Sequence, residues 1–188
     1  MIDFLGMHGR AAVRLLSGLA ILLIAGSASS QVNVATVPPE VACSVDLDLL
    51  WPPNHDLVDV GLSFVVDDQD PDPVIQVFVF SNEDDEEPTG SGNHSPDSKD
   101  DGEILQLRSE RRGDSDGRVY IIVVIATDAA GNVGFDCCTV VVPHSKSKKD
   151  IADVDDQAAV AEFFCLEFGE EPPGFVEVGD GPIIGPKQ

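Results

Sequence analysis

Residues 118–127 read Arg-Val-Tyr-Ile-Ile-Val-Val-Ile-Ala-Thr, and they constrain the chain more than any other stretch. In an extended strand, successive side chains point to opposite faces. Tyr120, Ile122, Val124 and Ala126 then share one face, while Val119, Ile121, Val123 and Ile125 share the other. An apolar face left open to water is an aggregation hazard. The chain must therefore supply a covering layer on both sides of this one strand.

Residues 133–142 read as its antiparallel partner, and Pro143 closes them. The connection is Asp128-Ala129-Ala130-Gly131-Asn132, in which Gly131 and Asn132 tolerate positive φ. Upstream, residues 57–66 alternate: Val58, Val60, Leu62, Phe64 and Val66 fall on one face, with Asp59, Gly61 and Ser63 on the other. That spacing predicts a single half-buried strand. Two prolines and four aspartates in residues 67–73 end it. Residues 74–80 and 103–108 read as further strands, the second with Leu105 and Leu107 facing inward. Residues 31–42 form a loose lead-in, and residues 82–101 a polar connection of unusual length. Short strands separated by turn signals predict an all-β fold, an antiparallel sandwich of about seven strands. After residues 145–149 the period changes. Ile151, Val154, Ala158, Ala161 and Cys165 fall at helical spacing, with Asp150 as the expected cap. A helix over 150–165 is the available lid for the second face of 118–127. The remainder, 166–188, is acidic, rich in Gly and Pro, and expected to be mobile.

Arg10 and Arg14 precede an apolar run over 15–25, and Gly26, Ser27, Ala28, Ser29 and Ser30 follow. This pattern predicts a signal peptide over 1–30 cut before Gln31, leaving 31–149 as the sandwich domain. The run is short of the ~20 apolar residues that a span needs. No second apolar stretch follows, so no membrane span is expected after cleavage, and the protein is read as secreted or periplasmic. Cys43, Cys137, Cys138 and Cys165 make an even count, which in an exported chain reads as disulfides. The pleat sends Cys138 inward with Val140 and Val142, and Cys137 outward with Thr139. Cys43 is therefore expected to pair with Cys138, and Cys137 with Cys165, the latter tying the helix to the sheet. A vicinal Cys137–Cys138 bond is the alternative.

Acidic residues outnumber basic ones by 34 to 11, giving a formal charge of −23. Such a chain is repelled by nucleic acid and anionic membranes and favours cations or basic partners. There is no Gly-x-Ser-x-Gly elbow, P-loop or His-Glu-x-x-His, so no catalytic residue is assigned. His55, His94 and His144 contain no i, i+4 pair and are not read as a metal set. Asp67, Asp68, Asp70 and Asp72 crowd one turn, and like charges that close are costly unless a cation or solvent screens them. Residues 83–87 form a second dense cluster. Bound calcium, which takes six to eight oxygens, and a plain solvated loop both account for such runs. Trp51-Pro52-Pro53-Asn54-His55 is either a stacking platform for a sugar or peptide, presenting Trp51 and His55, or a plug at the end of the core.

Leu50-Trp51-Pro52-Pro53-Asn54-His55, then a strand, an Asp-Pro-rich turn, an acidic loop and finally Ala126-Thr127-Asp128-Ala129-Ala130-Gly131-Asn132 follow one another in order. Over about residues 43–144 this series resembles bacterial extracellular immunoglobulin-like domains, and the closing strand resembles hyalin-repeat adhesion modules. The resemblance implies an immunoglobulin-like sandwich that binds an extracellular protein, a glycan or a second copy of itself. Leu107-Arg108-Ser109-Glu110 and Tyr120-x-x-x-Val124-x-Ala126-x-Asp128 further resemble the calcium-binding motifs of cadherin repeats. That likeness implies Glu110 and Asp128 as calcium ligands, although Arg108 replaces an acid of the family pattern and the interdomain Asp-x-Asn-Asp-Asn linker is absent. The expectation is an exported, non-catalytic binding or adhesion module steadied by calcium. The alternative is a soluble acidic protein that binds a ligand or cation, and a hydrolase comes last.

Overall fold

The computed structural model describes residues 37–68, 70–84 and 94–179. The expected signal peptide, residues 85–93 of the acidic connection and residues 180–188 lie outside the described residues. The doubly apolar run forms β7 (Gly117–Thr127), the eleven-residue centre of the fold. On one side it pairs with β4 (Val74–Ser81), and on the other with β8 (Val133–Pro143), both antiparallel. β9 (Val176–Glu177) pairs with the outer edge of β4, giving the sheet order β8-β7-β4-β9. A second sheet runs β2-β6-β5, from β2 (Leu57–Asp59), β6 (Leu105–Arg108) and β5 (Ser98–Asp100). A third pairs β1 (Glu40–Ser44) with β3 (Ser63–Asp67). The described fold is thus mostly antiparallel β-sheet with one helix, α1 (Lys148–Phe168).

Both faces of β7 are covered. Tyr120, Ile122 and Val124 pack with Leu105, Leu107, Val140, Val142 and Val60 in one core. Val119, Ile121 and Val123 pack with Val154, Ala158, Ala161 and Cys165 of α1 in the other. Each aliphatic side chain buried this way contributes about 1.5–3 kcal/mol by area transfer, an upper estimate because the unfolded chain already hides some surface. The helix is the lid that the sequence required. It begins at Lys148 rather than Asp150, because Ser147 is its N-cap and its Oγ accepts from Asp150 N at 3.0 Å. It ends at Gly169, at φ +68, whose N–H donates to Cys165 O at 2.7 Å.

The disulfides join Cys43 to Cys138 and Cys137 to Cys165, with Cα separations of 6.2 and 6.3 Å. Adjacent cysteines on β8 face opposite cores, so one bridge draws β1 onto the sheet and the other anchors α1.

Four local expectations change, the first being that the polar connection over 82–101 carries the short strand β5, which pairs with β6. The strand expected over 57–66 is two strands, broken at Gly61, whose φ is +65. A Cβ there would come within 2.6 Å of the Asp46 carboxylate, and Asp46 N and Leu47 N both donate to Val60 O. The chain leaves β2 in one sheet and enters β3 in another, so Phe64 is exposed rather than buried. The lead-in contains β1, because residues 40–44 find β3 as a ladder partner. The segment after the helix is also partly fixed: Val178 is buried, its N–H donates to Val79 O, and its carbonyl accepts from Ser98 Oγ at 2.6 Å.

Replacing both Cys137 and Cys165 by Ala should lower the unfolding free energy by about 2–4 kcal/mol in equilibrium urea denaturation. An unchanged midpoint would mean that packing alone holds α1 to the sheet.

Candidate functional site

The end of the fold where β7 begins concentrates charge inside the protein. Arg108, Arg118, Asp97, Glu83 and Glu110 are all buried there. Arg118 pairs with Asp97 through Nη1 and with Glu83 Oε2 through Nε at 3.1 Å. Its Nη1 also donates to Tyr120 Oη at 3.0 Å, and Tyr120 Oη donates to Arg108 O at 2.8 Å. Arg108 Nε lies 3.2 Å from Asp97 Oδ1 and donates to Pro96 O at 2.9 Å. Buried ions persist only when paired and hydrogen-bonded, and here β6, β7 and the segment before β5 supply partners to one another. Burial pushes the Tyr120 phenol well above its ordinary value, against the pull of the Arg118 guanidinium.

On this floor stand His55, His94 and Glu110. Glu110 follows β6, and its carboxylate is fully buried. His55 Nδ1 lies 2.6 Å from Glu110 Oε2, and His94 Nδ1 lies 3.1 Å from the same oxygen. The other oxygen, Oε1, accepts from His94 N at 3.1 Å. The two imidazoles stack with centroids 4.2 Å apart and planes inclined by 26°. His55 has φ +67, unusual outside glycine, and its backbone is pinned on both sides. His55 N donates to Ser109 O at 3.0 Å, and His55 O accepts from Arg108 Nη1 at 2.8 Å. Ser109 Oγ donates to Pro52 O at 2.7 Å, which ties the Trp51–His55 loop to the segment carrying Glu110. Burial holds the His94 imidazole below its ordinary value, against the pull of Glu110, with His55 and Arg108 pushing the same way as burial.

The residues singled out in the sequence divide between the two ends of β7. At the far end, Asp70 Oδ2 accepts from Ala129 N at 2.7 Å and Asp70 Oδ1 from Asp72 N at 3.1 Å, joining the Asp67–Asp68–Asp70–Asp72 turn to the β7–β8 connection. Asp128 Oδ1 accepts from Ala130 N and Asn132 N, and Oδ2 from Asn132 Nδ2. These bonds, that from the Asn132 side chain foremost, hold its carboxyl below the usual aspartate range. Glu110 sits at the opposite end with the histidines, so it shares no site with Asp128 or the aspartate turn. Among the described residues, His55, His94 and Glu110 are the one set of three His, Cys, Asp or Glu residues whose ligand atoms lie within 4.8 Å of one another. Trp51 is partly exposed, with Lys146 Nζ 5.6 Å from its ring centroid, while neighbouring Leu50 enters the core. His94 was the residue that spacing could not single out, because only the fold brings it to His55.

Arg118→Met should cost about 3–5 kcal/mol in urea denaturation, because it leaves Glu83 without its buried counter-ion and Asp97 with Arg108 alone. Tyr120 is the single tyrosine, so alkaline titration of tyrosinate absorbance reads it alone. Its raised folded value means that its contribution is whole below the ordinary value of 10.0 and is lost as pH rises above it. Tyrosinate should appear only together with unfolding, and its appearance in the folded protein near that ordinary value would contradict the buried network.

No protein-family model, no curated protein and no solved structure matches this chain, so the geometry above is what bears on its function.

Proposed function

We propose that this chain is an exported, non-catalytic binding module with an immunoglobulin-like sandwich, and that it meets its partner through the outer face of α1. The observation that carries this reading is a run of large apolar side chains held out in water. Val160 and Phe163 are 71 % and 69 % exposed, and Leu166 and Phe168 are also exposed. Val160, Phe163 and Leu166 lie away from the face that carries Val154, Ala158, Ala161 and Cys165 into the core, while Phe168 stands in the last turn against Phe164. A contiguous exposed apolar surface of this kind marks an interaction site, and aromatic anchors dominate the energetics of such sites. A groove of about 640 Å³ adjoins it, lined by Val160, Phe164, Pro172 and Phe175. The Cys137–Cys165 bridge keeps this surface rigid, which lowers the entropy cost of docking.

Asp155, Asp156, Glu162 and Glu167 border the apolar run, so the fitting partner has an apolar centre and a basic rim. Two disulfides suit an oxidising compartment, and no helix among the described residues is long and apolar enough to cross a membrane. The partner that fits this face is an extracellular protein. Calcium is not required for contact through α1; its role at the aspartate turn is a separate expectation.

The test coats beads with the oxidised protein and measures attachment to cells and to one another, in millimolar calcium and in chelator. Wild-type beads should attach, and Phe163→Asp and Val160→Asp should lose most of that attachment with an unchanged thermal midpoint, since both side chains are exposed. Equal attachment by the variants would remove α1 from the reading. Absent attachment, with turnover in a hydrolase panel, would replace binding by catalysis.

A further inference from the structure

We propose that His55 Nδ1, His94 Nδ1 and Glu110 Oε2 form a binding site for a divalent transition metal ion of the zinc type. The argument begins with the donors. Two imidazole nitrogens and one carboxylate oxygen converge, with all three atoms inside 4.8 Å. Imidazole suits zinc and its neighbours, whereas calcium and magnesium demand oxygen throughout. An ion about 2.1 Å from each donor would hold neighbouring donors roughly 3.4 Å apart. The present separations from Glu110 Oε2 are 2.6 Å for His55 and 3.1 Å for His94. The two histidine nitrogens would have to draw back from Glu110 Oε2 by less than about 1 Å to accept such an ion.

Protons alone satisfy the cluster poorly. If both rings are neutral, both Nδ1–H groups must point at the one oxygen Glu110 Oε2, 2.6 Å from His55 and 3.1 Å from His94, and the second is too poorly aligned to make a hydrogen bond. If both rings are charged, two cations stack 4.2 Å apart over a single carboxylate. One divalent ion removes both difficulties, because it takes a lone pair from each nitrogen and faces no proton.

The surrounding charge points the same way. Asp97 and Glu83 are balanced by Arg108 and Arg118 within the buried network, and Glu110 is the carboxylate left in excess. Its other oxygen is fixed by His94 N, and His55 is fixed through its own N and O, so the carboxylate and the two backbones are held before any ion arrives, and the stacked rings turn to bring both lone pairs onto it. The His55 side chain is 30 % exposed, which gives an ion a route from solvent and leaves a further coordination position facing water. This site lies at the opposite end of β7 from the aspartate turn and is independent of contact through α1.

The oxidised protein, stripped with chelator and dialysed, is titrated with zinc by calorimetry while millimolar calcium and magnesium occupy surface carboxylates. A single tight site per chain is expected. His55→Asn, in which Asn tolerates the positive φ, and His94→Gln should each weaken it by about 100-fold or more, beyond what second-sphere changes cost. His144→Gln should leave it unchanged, since His144 Nδ1 faces Ser115 O instead. Nitrogen NMR of the wild-type imidazoles gives a readout that needs no variant: zinc should move the Nδ1 resonances of His55 and His94 and not those of His144. No saturable site in the wild type, or zinc binding that leaves both Nδ1 resonances in place, would overturn the proposal.

Discussion

Everything in this fold follows from the burial of β7 on both faces. A strand with one apolar face needs one partner layer, and a two-layer sheet protein could satisfy it. β7 needs two, so the chain must find a third layer. It does so with a helix that follows β8 directly and returns across the second face, where Val154, Ala158, Ala161 and Cys165 meet Val119, Ile121 and Val123. The adjacent cysteines of β8 reinforce this division. Because the pleat turns them to opposite faces, one strand carries a covalent tie into each core.

The second constraint is electrostatic and runs against the composition. A chain with a formal charge of −23 places two of its few arginines wholly inside. Arg108 and Arg118 are not surface solubilisers here. They hold the loops around β5, β6 and β7 in one arrangement, Arg108 by donating to the Pro96 and His55 carbonyls and Arg118 by pairing with Glu83 and Asp97. Removing such a pair by apolar replacement is often neutral in other proteins, so the network is better understood as fixing geometry than as adding stability. Its product is the fixed placement of His55, His94 and Glu110 above it.

The parts of the structure legible in the sequence are those governed by a rigid local period. Two-residue alternation places Cys137 and Cys138 on opposite faces, and helical spacing over Val154, Ala158, Ala161 and Cys165 identifies the lid. The switch at Gly61 is hidden for the same reason. Val58, Val60, Leu62 and Phe64 keep alternating while the chain passes from one sheet to another, so the pattern carries no mark of the change. β1 and β9 are short edge strands whose existence depends on a distant partner. The histidine–glutamate cluster is the least legible feature. Glu110 stands 55 residues from His55 and 16 from His94 along the chain, and spacing rules for metal ligands within one element do not reach across three separate segments. Likeness to a calcium motif points to Glu110 but pairs it with Asp128, at the other end of β7.

β9 has a consequence for assembly. A sheet that ends on β4 would offer a row of free backbone donors and acceptors, a template onto which any extended chain can add. Two residues of β9, with Val178 buried behind them, occupy part of that row. They act as a selvedge, a woven margin that stops the fabric from extending. Because this margin comes from residues beyond the helix, one segment, the chain after β8, both covers the second face of β7 and finishes the β4 edge.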